Sequence, residues 1–483
     1  MIDTQSIRTK ILDLAMRGRL TEQLPEDGTA EELYQQIQVE KQALIKAGKI
    51  KKEKPLPEIT EGEKPFEIPE SWKWVYLGEL FQHNTGKALN ASDRQGELLE
   101  YITTSNLYWD RFELDDLKQM PFTESEIEKC TVKKGDLLVC EGGDIGRSAI
   151  WPFDYEMRIQ NHIHRLRRYS SGIYTEFYYY LLWLYKQTGR INGIEIGLQG
   201  FSSKRVHSLI VPLAPYAEAI RVAETIKKAF STLDTIDELQ TKYADNLTVL
   251  KSKLIDAAIQ GKLTEQLPED GTAEELYQQI QEEKQALIKA GKIKKEKPLP
   301  EITESEIPFE IPANWKWCRI GDIVSFNPRH MALDDGLPVS FIPMPRVLEG
   351  YNNRHSSEER VWKDVKTGYS NFCDGDVGVA KITPCFQNRK SVVFRNLLNG
   401  VGAGTTEFTV MRPIGSLVHP DYLLWFCKSD GFIKKGVESF NGSVGQARVD
   451  KDYMKMCLLP LPPQAEQKRI VARLDQALAM IEV

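Results

Sequence analysis

The chain has 483 residues, 41% apolar and 27% charged, with 63 basic against 69 acidic residues and a net charge of −6. This composition excludes a disordered or collagenous chain and a single small fold, and the weak negative balance confines any nucleic-acid contact to local patches. No run approaches the roughly 20 apolar residues that cross a bilayer, the start lacks the basic-then-apolar layout of a secretory leader, and seven Cys without a CxxC pair read as reduced thiols, so a cytoplasmic location is expected.

In chain order, residues 1–64 give an N-terminal helix and a helical arm. The arm opens with Thr29 at an N-cap and Glu32 three residues on, runs through Leu33, Ile37 and Leu44, and stops at Gly48. A charged, Pro-punctuated linker, Lys49-Ile-Lys-Lys-Glu-Lys-Pro-Leu-Pro, leads onward. Residues 65–213 form a first variable body with short strands such as Asp136-Leu-Leu-Val-Cys140 and an apolar helix over 177–184.

Residues 214–307 then bring a long helix and a second arm. Ile226, Ala229, Leu233, Ile236, Leu239, Tyr243, Leu247, Leu250, Leu254 and Ala257 recur in steps of three and four without an internal Pro or Gly, one seam of a coiled coil. At about 1.5 Å per residue such a helix spans on the order of 65 Å, a spacer between two domains. Residues 308–461 form a second body, with a strand at Asp376-Val-Gly-Val-Ala380 and a helix over 422–428, and residues 462–483 a C-terminal spacer helix.

The frame around these bodies is duplicated. Residues 21–60 recur at 264–303 with one change, Val39 to Glu282, and the match extends to Pro65-Phe-Glu-Ile-Pro and Pro308-Phe-Glu-Ile-Pro, and to Trp72-Lys-Trp74 and Trp315-Lys-Trp317. A second correspondence pairs residues 211–226 with 459–474. The inserts 80–210 and 323–458 share little beyond a Gly-Asp step, Gly135-Asp136 and Gly375-Asp376. Uneven drift after duplication leaves such a pattern; so does a frame that keeps the same contacts twice while the inserts do different work. The second long helix is divided between the two ends of the chain, so residues 7–17 are expected beside 250–260 and residues 464–483 beside the first part of the central helix. A chain continuing past Val483 is the alternative.

Catalytic signatures are missing: there is no Gly-x-Gly-x-x-Gly, Walker loop, His-Glu-x-x-His or Gly-x-Ser-x-Gly, and Phe326-Asn-Pro328 continues with Arg329 instead of an aminomethyltransferase motif. His162 and His164 form a close pair but have no Cys or second pair nearby, so packing or surface roles outweigh metal binding. Neither catalytic nor metal residues are assigned. The bodies carry 17 basic and 20 acidic residues over 66–212, and 19 and 16 over 309–460, so a case for DNA rests on polar clusters in loops. In the second body these are Lys381, Gln387, Asn388, Arg389 and Lys390, together with Ser443, Gln446 and Arg448 on a Gly-rich loop, and Arg329. The first body offers Gln199, Lys204 and Arg205, Arg147 in the turn Gly142-Gly-Asp-Ile-Gly-Arg147, and Lys87 and Arg94. Gln and Asn pair bidentately with adenine and Arg with guanine, while Lys holds phosphates. Arg165, Arg167 and Arg168 alternate on a strand-like run and are either structural or phosphate-facing.

With these residues in view, the chain resembles the specificity subunit of type I restriction-modification systems over essentially its whole length. The resemblance is carried by Pro65-Phe-Glu-Ile-Pro with Trp72-Lys-Trp and Leu77-Gly-Glu-Leu, by Lys134-Gly-Asp-Leu-Leu-Val, and most specifically by Leu461-Pro-Pro-Gln-Ala-Glu-Gln-Lys-Arg-Ile-Val. The first half departs from the last motif, with Ala214-Pro-Tyr-Ala-Glu-Ala lacking both Gln. The resemblance implies an α/β (α+β) protein of two target recognition domains separated by two long antiparallel coiled-coil helices, with an internal pseudo-twofold repeat. Each recognition domain would read one half of a bipartite target in double-stranded DNA, and two modification subunits would dock on the frame. This chain would bind no cofactor: AdoMet belongs to the modification subunits, ATP and Mg to the restriction subunits. Two readings of other classes compete, a coiled-coil scaffold with two protein-binding heads and a stand-alone nuclease or methyltransferase.

Overall fold

The computed structural model describes residues 1–90, 95–191, 201–328, 332–442 and 447–481. The chain divides into two compact units, Met1–Thr241 and Lys242–Val483. Among the described residues no helix is long and apolar enough to cross a membrane.

In the first unit, α1 (Thr4–Met16) and the arm helix α2 (Ala30–Lys46) precede the body. The expected capping box closes the start of α2: Glu32 N donates to Thr29 Oγ1 (3.3 Å) and Thr29 N donates to Glu32 Oε2 (3.1 Å). The body is entered by strand Lys73–Tyr76 and left by strand Ile210–Leu213, which pair antiparallel, Val75 opposite Val211. Between them lie two four-stranded sheets. One runs Lys118–Phe122, Glu97–Ile102, Met157–Ile159, Thr131–Val132, its two central strands parallel; the other runs Phe81–Thr85, Ile163–Arg168, Leu137–Cys140, Ser148–Ile150. Leu137 and Val139 face the helix α3 (Thr175–Gln187), while Leu138 and Cys140 face the other sheet, so the all-apolar strand is buried on both sides.

The long helix α4 runs Tyr216–Ile259 without a break, as the seam predicts. Its first part belongs to the unit just described. There Arg8 of α1 donates to Asp234 (2.9 Å) and Asp237 (2.8 Å), and Thr4 to Asp237 (2.6 Å), an antiparallel match. Where the repeat arithmetic put residues 250–260 beside α1, the structure puts this earlier stretch. The reason is that 7–17 and 250–260 are copies of each other, and copies take equivalent places.

The second unit repeats the plan. The arm helix α5 (Ala273–Lys289) carries the same capping box at Thr272 and Glu275. Strands Lys316–Arg319 and Leu458–Leu461 pair antiparallel at the entrance. The sheets run Glu358–Val361, Pro338–Ile342, Val401–Gly404, Ser370–Cys373, again with a parallel centre, and Val324–Phe326, Phe408–Pro413, Val377–Ala380, Ser391–Val393. Helices α6 (Pro420–Cys427) and α7 (Asp430–Glu438) and the last helix α8 (Gln464–Ile481) complete it; Leu254, Ile255 and Ala258 of α4 share its core with Leu474 and Leu478. Two inserts with little sequence in common thus have one strand order.

Identical side-chain contacts hold each insert to its frame. Trp72 Nε1 donates to the buried Glu218 (2.8 Å) and Trp315 Nε1 to the buried Glu466 (2.9 Å). Arg221 forks onto Asp27, and Arg469 onto Asp270. The Gly-Asp step shared by the bodies has the same explanation in both. Gly135 and Gly375 each turn the chain at φ 87°, a conformation without penalty only for glycine. The buried Asp136 then caps Lys133 N and receives the fork of Arg167 (2.8 and 2.6 Å), while Asp376 caps Cys373 N and receives the fork of Arg412 (2.7 and 2.7 Å).

Candidate nucleic-acid interface

In each body the buried central strand ends in a polar loop, and a later part of the chain is hydrogen-bonded beside it just before a short helix. In the second body, strand Val377–Ala380 runs into residues 381–390. Lys381 N donates to Glu407 O (2.9 Å), Val449 N to Lys381 O (2.8 Å) and Thr383 N to Ala447 O (3.0 Å), so the segment carrying Arg448 is stitched to the one carrying Lys381. In the first body, strand Leu137–Cys140 runs into 141–147, and Phe201 N donates to Glu141 O (3.1 Å), placing helix Ser203–His207 beside that turn. Lys381 and Arg448, 67 residues apart, and Glu141 and Phe201, 60 apart, thereby reach one surface in their respective bodies.

Several expected contact residues present polar groups there. Gln387 and Asn388 are exposed; Thr383 Oγ1 donates to Gln387 Oε1 (2.5 Å), and Asn388 Nδ2 donates to Glu349 (3.2 Å). Arg448 is exposed and forks onto Glu407 (2.9 and 2.8 Å), a pair that raises its guanidinium pKa above the ordinary value while leaving the group in solvent. Lys381 and Lys390 are half-buried on the same loop. In the first body Lys204 is exposed and the Arg205 guanidinium lies 6.0 Å from the Phe201 ring. Arg94, Gln199, Arg329, Ser443 and Gln446 lie outside the described residues.

Three expected contact residues serve the body itself. Lys87 is only 8% exposed: its ammonium donates to Pro121 O (2.8 Å) and pairs with Glu126 (2.8 Å), which corrects the reading of it as a loop lysine free to meet DNA. Burial of an ammonium requires such partners. Arg147 donates to Thr104 O (2.5 Å) and packs over Tyr108 at 5.0 Å. Arg389, at φ 55°, donates to Lys428 O (3.0 Å) and to Asp430 and covers the Tyr351 ring at 4.9 Å. Beneath it Lys428 is fully buried, its ammonium donating to Gly350 O (2.8 Å) and Arg389 O (2.7 Å), and burial next to the Arg389 charge pushes its pKa down to about 7. Arg389 is therefore a brace for the loop.

The arginine run resolves towards structure. Arg165 is buried, donates to Thr131 O (2.6 Å), and has its pKa pushed down to about 10 by burial and the neighbouring Arg167; Arg168 donates to Ile173 O (3.0 Å). His164 is fully buried and meets His83 (2.9 Å) and Phe201 O (2.5 Å), anchoring Phe201 ahead of the short helix, while burial drives the His83 pKa down to about 3. Sequence reasoning missed His83, Glu407 and Glu349, which lie 81, 41 and 39 residues from His164, Arg448 and Asn388 and share no local signature with them. Among the described residues no group of three His, Cys, Asp or Glu could hold a metal ion.

Comparison with known proteins bears on this arrangement. The family model described as "Type I restriction modification DNA specificity domain" matches residues 69–248 and 396–483, more than half of the chain. Over 233 residues the chain is 44% identical to the EcoAI specificity subunit and 42% identical to the EcoEI specificity subunit, both type I restriction enzymes of Escherichia coli. Each match covers 48% of this chain, and 40% and 39% of the respective relatives, so the chain spans about two fifths of their length. A chain solved in work on complex assembly and conformational transition of the type I R-M system superposes with a TM-score of 0.55 at 15% identity, covering 86% of this chain and 93% of that one; it shows the fold alone. With a matched segment in each half, a duplicated frame and two β-bodies of one topology, the chain belongs to the type I restriction-modification DNA specificity family.

Proposed function

We propose that the chain is the non-catalytic DNA specificity subunit of a type I restriction-modification complex, in which each β-body reads one half of a bipartite target. The observation that carries this reading is the contrast between frame and insert. Frame contacts recur pair for pair, Trp72–Glu218 with Trp315–Glu466 and Arg221–Asp27 with Arg469–Asp270, whereas the loops at the ends of equivalent strands hold unlike side chains. Two copies of one partner need one docking surface twice; two half-sites of different sequence need two different readers.

In the second body Gln387, Asn388 and Arg448 are suited to base edges, and Lys381 and Lys390 to phosphates. In the first, Lys204 and Arg205 take the corresponding place, with Gln199 five residues before Lys204 in sequence and Arg94 elsewhere in the same body. The arms α2 and α5, with the helices that flank them, dock two modification subunits, which carry AdoMet and adenine methylation; restriction subunits add ATP, Mg and cleavage. Co-expression with the cognate modification subunit and mapping of methylated adenines tests this. A split motif is expected, and replacing residues 323–458 by another reader changes one half of it. A continuous motif, or a change in both halves, refutes the reading, and two methylating subunits retained after deletion of one arm refute the docking.

A further inference from the structure

Each arm helix ends at a glycine in the left-handed region, Gly48 (φ 68°) and Gly291 (φ 69°), and the chain leaves it into the same basic stretch, Lys49-Ile-Lys-Lys-Glu-Lys54 and Lys292-Ile-Lys-Lys-Glu-Lys297. All eight lysines are exposed, and among the described residues none is paired with a carboxylate. The one acid of each stretch is engaged elsewhere instead. Glu53 accepts from Lys41 (3.2 Å) and lies 3.8 Å from His207; Glu296 pairs with Lys455 (2.5 Å). Four like charges within six residues are thus left facing solvent, twice, on a chain whose overall charge is negative.

Their position is defined by those same acids. His207 closes the short helix Ser203–His207 that bears Lys204 and Arg205, and Lys455 sits in the short helix Tyr453–Met456 that follows Arg448. Each basic stretch is moored to the helix directly behind a reading loop. In the second unit Lys292 and Lys294 also line a cleft of about 220 Å³ with Ser325, Asn327 and Pro328, at the end of strand Val324–Phe326.

We propose that residues 49–54 and 292–297 are sequence-independent grips on the phosphate backbone of double-stranded DNA, one beside each reading loop. The inference rests on the DNA-reading function proposed for the two bodies. An ammonium on a flexible stem makes a point-charge contact suited to phosphates, and release of condensed counterions drives the association. Identity of the two copies follows from that chemistry: phosphates are the same in both half-sites, so these stretches stay unchanged where the readers must differ.

The test uses the full chain and a mixed-sequence duplex, with affinity measured between roughly 50 and 200 mM salt. Changing Lys49, Lys51, Lys52 and Lys54 to Gln, or the four lysines of the second stretch, makes the slope of log affinity against log salt shallower by about 0.9 for each phosphate that is no longer neutralised. Replacement by Arg restores it. An unchanged slope overturns the proposal, and so does a shallower slope that Arg fails to restore. Loss of a co-purifying methylating subunit with DNA affinity intact also overturns it, assigning the stretches to an acidic protein face. Selection from a random duplex pool separates the two readings. The Gln variants enrich the same sequence as the unaltered chain if the grips are indifferent to bases, and a different one overturns that. If the unaltered chain enriches no sequence, the reading function fails while the salt slope still judges the grips.

Discussion

Asp376→Asn tests whether the Gly-Asp step fastens the body or meets DNA. Asp376 accepts two N–H bonds from Arg412, each of 2.7 Å, and one from Cys373 N at 2.8 Å, and its side chain is 2% exposed. Asparagine keeps one oxygen for the Cys373 amide but turns an NH2 group towards the guanidinium. Breaking a buried pair costs roughly 3–5 kcal/mol, and the low end applies because the Arg412 side chain, 35% exposed, can be rehydrated. A loss of about 3 kcal/mol corresponds to roughly a hundredfold faster exchange of globally protected amides. Hydrogen exchange at residues 377–380 and 391–393 reads it, with Asp136→Asn giving the same loss at 137–140 in the other body. The exposed pair Arg360–Glu358 is the control, worth no more than about 1 kcal/mol. Unchanged exchange, or weaker DNA binding without any loss of protection, refutes the structural role.

The duplicated frame predicts equal sensitivities: Arg221→Ala and Arg469→Ala, each removing a fork onto an almost fully buried aspartate, cost the same within about 0.5 kcal/mol when exchange is followed in the respective unit. Lys87→Met leaves the Pro121 carbonyl without its donor, removes the cation from a Glu126 then held only by Thr123, and destabilises the first body by about 1–3 kcal/mol, while the folded fraction binds duplex DNA with unaltered affinity and salt slope. Acid weakens the first body through His83, whose pKa is lowered by burial to about 3. A folded pKa below the unfolded one means the contribution is complete above about pH 6.5 and fades as pH falls towards 3, by at most about 1.4 kcal/mol per pH unit. His83→Gln flattens that dependence in chemical denaturation, and an unchanged profile assigns the acid loss to other groups.

Local devices were legible in the sequence because their physics is local. The capping boxes at Thr29 and Thr272, the seam of α4 and the central strands after Gly135 and Gly375 all stand where spacing places them. The Gly-Asp step was visible as a shared dipeptide, but its purpose was not: the arginines that complete it lie 31 and 36 residues away. Lys87 was misjudged for the same reason, since the side chain that claims its charge, Glu126, follows 39 residues later. The common strand order of the two bodies had no signature either. Register is set by which face each strand buries, and many apolar sequences satisfy one pattern of burial.

The paired entrance strands carry a consequence for how such a protein tolerates change. Because Lys73–Tyr76 lies against Ile210–Leu213, and Lys316–Arg319 against Leu458–Leu461, each insert begins and ends a single interstrand spacing apart, about 4.8 Å. Seen from the scaffold, whatever lies beyond is a loop already closed at its neck. Doubling the length of a closed loop costs only about 0.6 kcal/mol in chain entropy, so lengthening or shortening an insert barely strains its socket, and a plug of quite different make can be seated in it.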